Sequence, residues 1–149
     1  VDIYLPDIKF FSSEISKKYA DCENYFEYAC EAVKEMFRQT GRIELDSEGI
    51  MKKGVIIRHL ILPGCRKDSE KILDFINENF GNDVYVSLLN QYTPMYRALN
   101  IKELNRRITS FEYKKVTDYF LSIGLENGFV QEKSSAKSTY TPVFDHSNL

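Results

Sequence analysis

The sequence is short of the features that usually betray a function. Three cysteines, Cys22, Cys30 and Cys65, are scattered through 149 residues, with no CxxC or CxxxCxxC among them. An odd, widely spaced set argues against a disulfide framework and against a self-contained metal site, and leaves buried or half-buried thiols as the reading. No apolar run approaches the roughly 20 residues needed to cross a bilayer, and no charged stretch followed by an apolar one opens the chain as in a secretory signal. Charge is nearly balanced, with 20 Lys and Arg against 22 Asp and Glu and a net charge of -2. The basic footprint of a nucleic-acid or anionic-membrane binder is therefore missing. No nucleic acid and no membrane is implied, and a cytoplasmic protein is expected. Internal repeats and low-complexity tracts are lacking too. So is an initiator methionine, and strand-like residues begin at once, which reads as a cut end. With 43% hydrophobic and 28% charged residues, the composition suits one core and one folded unit, residues 1–149.

What is present is an alternation. Val1 to Leu5 has strand propensity and stops at Pro6. After Asp21, Phe26, Ala29, Cys30, Val33, Met36 and Phe37 fall at helical spacing, and Gly41 ends the run. Ile43 to Leu45 and Ile50 to Met51 flank the turn formers Asp46, Ser47, Glu48 and Gly49, the pattern of a short hairpin. Val55 to Leu62 is a nearly unbroken aliphatic run closed by Pro63 and Gly64, as in a parallel strand buried on both faces. Asp68 is placed to cap a helix with the stripe Ile72, Leu73, Ile76 and Phe80, stopped by Gly81. Val84 to Leu89 repeats the buried-strand pattern. Thr109 and Glu112 then form a capping box, with Ile108 and Tyr113 as a hydrophobic staple, for a helix reaching Gly124. Three alternations of strand and helix predict right-handed βαβ units, a parallel sheet and an α/β fold over residues 1–128. Phe129 to Leu149, rich in Ser, Thr and Lys, reads as a tail draped over the core.

Ligands of parallel α/β sheets bind beyond the carboxyl ends of the strands, so polar residues there carry extra weight. Asp7 and Lys9 are two apart after the first strand and point to one side, opposite Ile8; a solvated charge pair is the alternative. Arg58 interrupts the apolar run of the next strand, and a buried guanidinium has to meet an anion from the protein or from a ligand. Asp7 is the first candidate partner. His59 points the other way and reads as a core histidine with a satisfied ring. The third strand ends in Asn90, Gln91, Tyr92, Thr93 and Pro94. Asn90 and Tyr92 share a face and suit ribose hydroxyls or an adenine edge, as a plain βα loop also would. Lys102, Arg106, Arg107, Lys114 and Lys115 read as solvated surface.

In their order and spacing, Tyr4-Leu-Pro-Asp-Ile-Lys9, Arg58-His-Leu-Ile-Leu-Pro-Gly64 and Asn90-Gln-Tyr-Thr-Pro94 resemble the latter half of radical S-adenosylmethionine (SAM) proteins related to the pyruvate formate-lyase activating enzyme. Gly128-Phe-Val-Gln-Glu132 is similar to an uncharacterised branch of that family. The resemblance implies a partial (β/α) barrel of the (β/α)6 type, of which this chain would supply the later βα units. The cluster-binding CxxxCxxC loop and a glycine-rich SAM segment belong to the first half and are lacking here. The intact protein, with SAM and a [4Fe-4S] cluster as cofactors, is implied to cleave SAM reductively to a 5'-deoxyadenosyl radical for hydrogen abstraction, as in glycyl radical enzyme activation. Its implied partners are the missing N-terminal half, an electron donor, and a glycyl radical enzyme or another protein substrate. Asp7 and Lys9 resemble the family's aspartate-x-lysine pair at the cofactor, and Arg58 resembles an arginine facing the barrel interior. With Asn90 and Tyr92 they are the cofactor-binding candidates; no catalytic residue and no metal ligand is assigned to this chain. The activating enzymes have a tyrosine-histidine pair where this chain has Gln91 and Tyr92. Alone, the chain is expected to bind neither cofactor and to self-associate through uncovered strand edges. The rival reading is a noncatalytic α/β interaction module. A phosphate-binding half barrel fits less well, because Pro63-Gly64-Cys65-Arg66 lacks the glycines of a phosphate cradle.

Overall fold

A computed structural model describes residues 2–20, 22, 24–90 and 106–130. In chain order the elements are β1 (Ile3–Tyr4), α1 (Ser13–Ala20), α2 (Tyr25–Thr40), β2 (Glu44–Leu45), β3 (Met51–Leu60), α3 (Arg66–Asn79), a 3-10 turn (Gly81–Asp83), β4 (Tyr85–Leu89), α4 (Ser110–Ser122) and β5 (Gly128–Val130). β1, β3, β4 and β5 lie side by side in that order, all parallel, while β2 folds back antiparallel on the start of β3. The result is a small open α/β sheet, mostly parallel, as the alternation predicts. The hairpin closes tightly. A Cβ on Gly54, whose φ is +136°, would come within 2.9 Å of the Ile43 Cα.

Each parallel strand sits beside its predecessor, so the sheet winds in one direction with no reversal of order. Crossovers of the usual right hand then place their helices on a single face. The burial pattern agrees. Val55 and Ile57 of β3, with Val86 and Leu88 of β4, pack against Val33 of α2, Ile72, Leu73 and Ile76 of α3, and Val116 and Phe120 of α4 in one core. On the opposite face, Met51, Ile56 and Tyr85 are buried near the hairpin. Toward the carboxyl ends of the strands that cover runs out. Arg58 is exposed there, and Leu60, Leu62, Ser87 and Leu89 are half-buried. The expectation that β3 is buried on both faces therefore holds only for its first part, because α2, α3 and α4 all pack on the first face.

Local chemistry explains several boundaries. Leu62 to Cys65 form a turn closed by the Cys65 N–H on the Leu62 carbonyl at 3.1 Å. Pro63 and Gly64, the latter at φ +73°, suit the two central positions of a type II turn. α4 starts on the predicted capping box, with Thr109 and Glu112 each answering the other's N–H. One helix was not expected, and one expectation fails. α1 is unforeseen, a short helix whose apolar residues are only Ile15, Tyr19 and Ala20; the Ser12 hydroxyl accepts the Ile15 N–H at 3.4 Å and starts it. Residues 128–130 form β5 rather than the beginning of a tail, since parallel pairing with β4 satisfies their backbone. Residues 131–149, the rest of that tail, lie outside the described residues.

Candidate functional site

The carboxyl ends of β1 and β3 are joined through the backbone. The Ile8 N–H donates to the Arg58 carbonyl at 2.9 Å, and the Arg58 N–H donates to the Pro6 carbonyl at 2.8 Å. This parallel bridge sets Asp7 opposite Arg58, so both side chains emerge on the face away from α2, α3 and α4. There Arg58 Nε lies 3.5 Å from Asp7 Oδ1, each side chain being 46% exposed. Asp7 is thus the partner the sequence named, but Arg58 is not the buried guanidinium expected, because the second face of β3 is open at this level. At that exposure the pair contributes about 0–1 kcal/mol. Lys9 is exposed on the same side by alternation, and its ammonium has no ion-pair partner among the described residues. Ser87 is the register partner of Arg58 on β4.

Of the remaining two candidates, Asn90 does not join this group. Asn90, one residue past β4, is buried, and the two-residue period of β4 carries it to the helix-covered side with Leu88. Tyr92 lies outside the described residues, as do Gln91, Thr93, Pro94 and Lys102.

Behind the charged pair stands a layer of buried polar groups that the sequence shows only in part. His59 is buried, with Nδ1 2.7 Å from the Ile8 carbonyl and Nε2 2.7 Å from Ser69 Oγ. A carbonyl only accepts, so Nδ1 carries the proton and Nε2 accepts from the Ser69 hydroxyl. The satisfied core histidine is as expected, and burial pushes its pKa down to about 4. The Ser69–His59 contact has the form of a nucleophile and its base, yet both residues are sealed in the core. Asp68 does not cap its own helix. Cys65 holds that position without a side-chain bond, and the Asp68 carboxylate accepts the Phe11 and Ser12 N–H groups at 2.8 Å each. Its burial pushes its pKa up. Tyr25, at the start of α2, donates to the Asp7 carbonyl at 3.2 Å and accepts the Lys9 N–H at 3.0 Å. Nothing in the sequence singles out Tyr25, since its partners are set by how α2 docks.

A second carboxylate braces the neighbouring strand end. Glu112 takes two bonds from Arg106, at 2.7 and 3.1 Å, one from the Thr109 N–H at 2.9 Å and one from the Gly64 N–H at 2.7 Å. Arg106 above all holds its carboxyl down to about 2. Arg106 is therefore a partner in a clamp between the β3–α3 turn and α4, not a purely solvated cation. The cysteines do not converge. Cys30 and Cys65 are buried and Cys22 is half-buried, and burial pushes the Cys30 thiol up to about 11. Among the described residues no three His, Cys, Asp or Glu side chains are grouped to hold a metal ion, and no helix is long and apolar enough to cross a membrane.

No family model and no solved structure matches the chain. Over 122 residues, 79% of this chain, it is 34% identical to Uncharacterized protein MJ0674 of Methanocaldococcus jannaschii, and the match covers 31% of that protein. The chain thus spans about a third of the length of the curated relative it matches.

Proposed function

We propose that this chain forms the later wall of a partial radical SAM barrel and that its uncovered sheet face takes the charged end of SAM. The observation that supports the reading is the Asp7–Arg58 pair at the carboxyl ends of β1 and β3, on the sheet face away from α2, α3 and α4, with Lys9 exposed two residues on. A sheet wound in one direction with its helices on one side becomes a barrel wall when further strands join its edges, and its bare face becomes the interior. The half-buried leucines around Arg58 suit such an interior.

The methionine end of SAM carries an ammonium and a carboxylate. Asp7 matches the first, and Arg58 with Lys9 the second. Without a ligand, Asp7 and Arg58 answer each other through a 3.5 Å surface contact, and a contact of that strength is exchanged for ligand bonds at little cost. The polar layer behind them supplies fixed geometry. The chemistry SAM provides in the family resembled is reductive cleavage to a 5'-deoxyadenosyl radical that abstracts hydrogen, here in a cytoplasmic enzyme acting on a glycyl radical enzyme or another substrate. A [4Fe-4S] cluster does not fit this chain, whose cysteine thiols lie apart and are largely buried. The cluster would belong to the rest of a longer protein, and the role of this chain is to bind and orient.

Anaerobic reconstitution of the full-length protein containing this chain tests the reading. The wild type should bind SAM and release 5'-deoxyadenosine on reduction. Arg58→Leu should weaken SAM binding by about 1–3 kcal/mol, the scale of a charge-assisted hydrogen bond, while thermal stability is kept. Absence of SAM binding by the reconstituted wild type overturns the proposal. Unchanged affinity with collapsed stability in Arg58→Leu assigns that residue to structure.

A further inference from the structure

From Asp7 to Ser12 the chain belongs to no helix and, apart from one bridge at Asp7, to no strand. Its backbone groups must therefore find partners elsewhere. Side chains from three separate elements supply them. Tyr25 of α2 takes the Asp7 carbonyl and the Lys9 N–H; His59 of β3 takes the Ile8 carbonyl; Asp68 of α3 takes the Phe11 and Ser12 N–H groups. The side chains alternate to match. Ile8 is 0% exposed and Phe10 7% exposed, with Phe10 packed edge-on against the Tyr25 ring at 5.4 Å between centroids. Asp7 and Lys9 point outward between these anchors.

These anchors also hold the outward Asp7 and Lys9 at a set spacing, which a loop presenting an anion and a cation to a ligand requires. We infer that residues 7–12 are a preformed binding loop and that Tyr25 is its positioning residue, one hydroxyl fixing the backbone beneath both Asp7 and Lys9. The inference rests on the SAM reading for its ligand and on these hydrogen bonds for its geometry. Tyr25→Phe keeps the ring against Phe10 and removes only the hydroxyl. Water can reach the two freed backbone groups near the surface, so the fold should stand while the loop loosens.

The test compares SAM with 5'-methylthioadenosine, which keeps the nucleoside and lacks the charged amino-acid end, on the reconstituted full-length protein. Wild type should prefer SAM. In Tyr25→Phe, SAM affinity should fall about tenfold, the scale of one mispositioned charge-assisted bond, with methylthioadenosine affinity unchanged and amide exchange at Lys9 accelerated. Equal losses on both ligands, or a preference for SAM as strong as in wild type, overturn the positioning role alone. A wild type without preference for SAM removes the SAM reading and the inference with it. A Lys9 amide that exchanges freely in folded wild type overturns the inference whatever the variant does.

Discussion

Acidification from about pH 7.5 to about pH 5 should destabilise the chain through His59. Burial holds the folded imidazole at about 4, against about 6.5 for an unfolded histidine. As pH falls, the unfolded state takes up the proton first. The stabilising contribution of the neutral ring is thus fully present above about pH 6.5 and is lost as pH falls toward 4. With these two values, linkage gives about 2 kcal/mol between about pH 7.5 and about pH 5, and about 3 kcal/mol by about pH 4. The Ser69 hydroxyl can turn and accept from a protonated Nε2, so the cost is desolvation of the cation rather than a broken hydrogen bond. Asp68 works in the opposite direction, because burial raises its pKa and the folded state then takes up its proton first. The comparison that isolates the imidazole is therefore urea unfolding of wild type and His59→Gln across this range, followed by circular dichroism. The amide of Gln does not titrate. The variant should be less stable at about pH 7.5 by about 1–3 kcal/mol, the cost of one ill-satisfied buried group, and the gap to wild type should close by about 2 kcal/mol on reaching about pH 5. A gap that stays constant with pH would refute the reasoning.

The Glu112 clamp should show at lower pH. With the folded carboxyl near 2 and an unfolded value near 4.3, its contribution is present above about pH 4.3 and lost as pH falls toward 2, by an amount cut to about 1–2 kcal/mol because Arg106 is well exposed. Glu112→Gln should flatten that part of the acid limb in the same unfolding series, and an unchanged limb would show that the clamp contributes nothing. Thiol titration with a disulfide reagent at about pH 8 should modify Cys22 first and Cys30 only on unfolding, since the thiolate reacts and the buried Cys30 thiol is pushed to about 11. Rapid modification of Cys30 in the folded chain would contradict its placement in the core.

Features whose partners lie within a few residues were legible in advance. The capping box of Thr109 and Glu112 spans three positions, so its geometry follows from helix formation alone, and the apolar spacing of α2 and α3 follows from the helical period. Strand alternation likewise separated Arg58 from His59, since neighbours on a strand must face opposite ways. Features that depend on distant partners were not legible. Asp68 reads locally as a helix cap, yet its carboxylate reaches Phe11 and Ser12, 57 and 56 residues away, because the segment that follows β1 runs past the start of α3. Tyr25 gave no signal at all, because its partners Asp7 and Lys9 lie 18 and 16 residues away. The apolar run around Arg58 suggested burial, but whether a strand face is buried depends on what layers cover it, and here α2, α3 and α4 all lie on the other side.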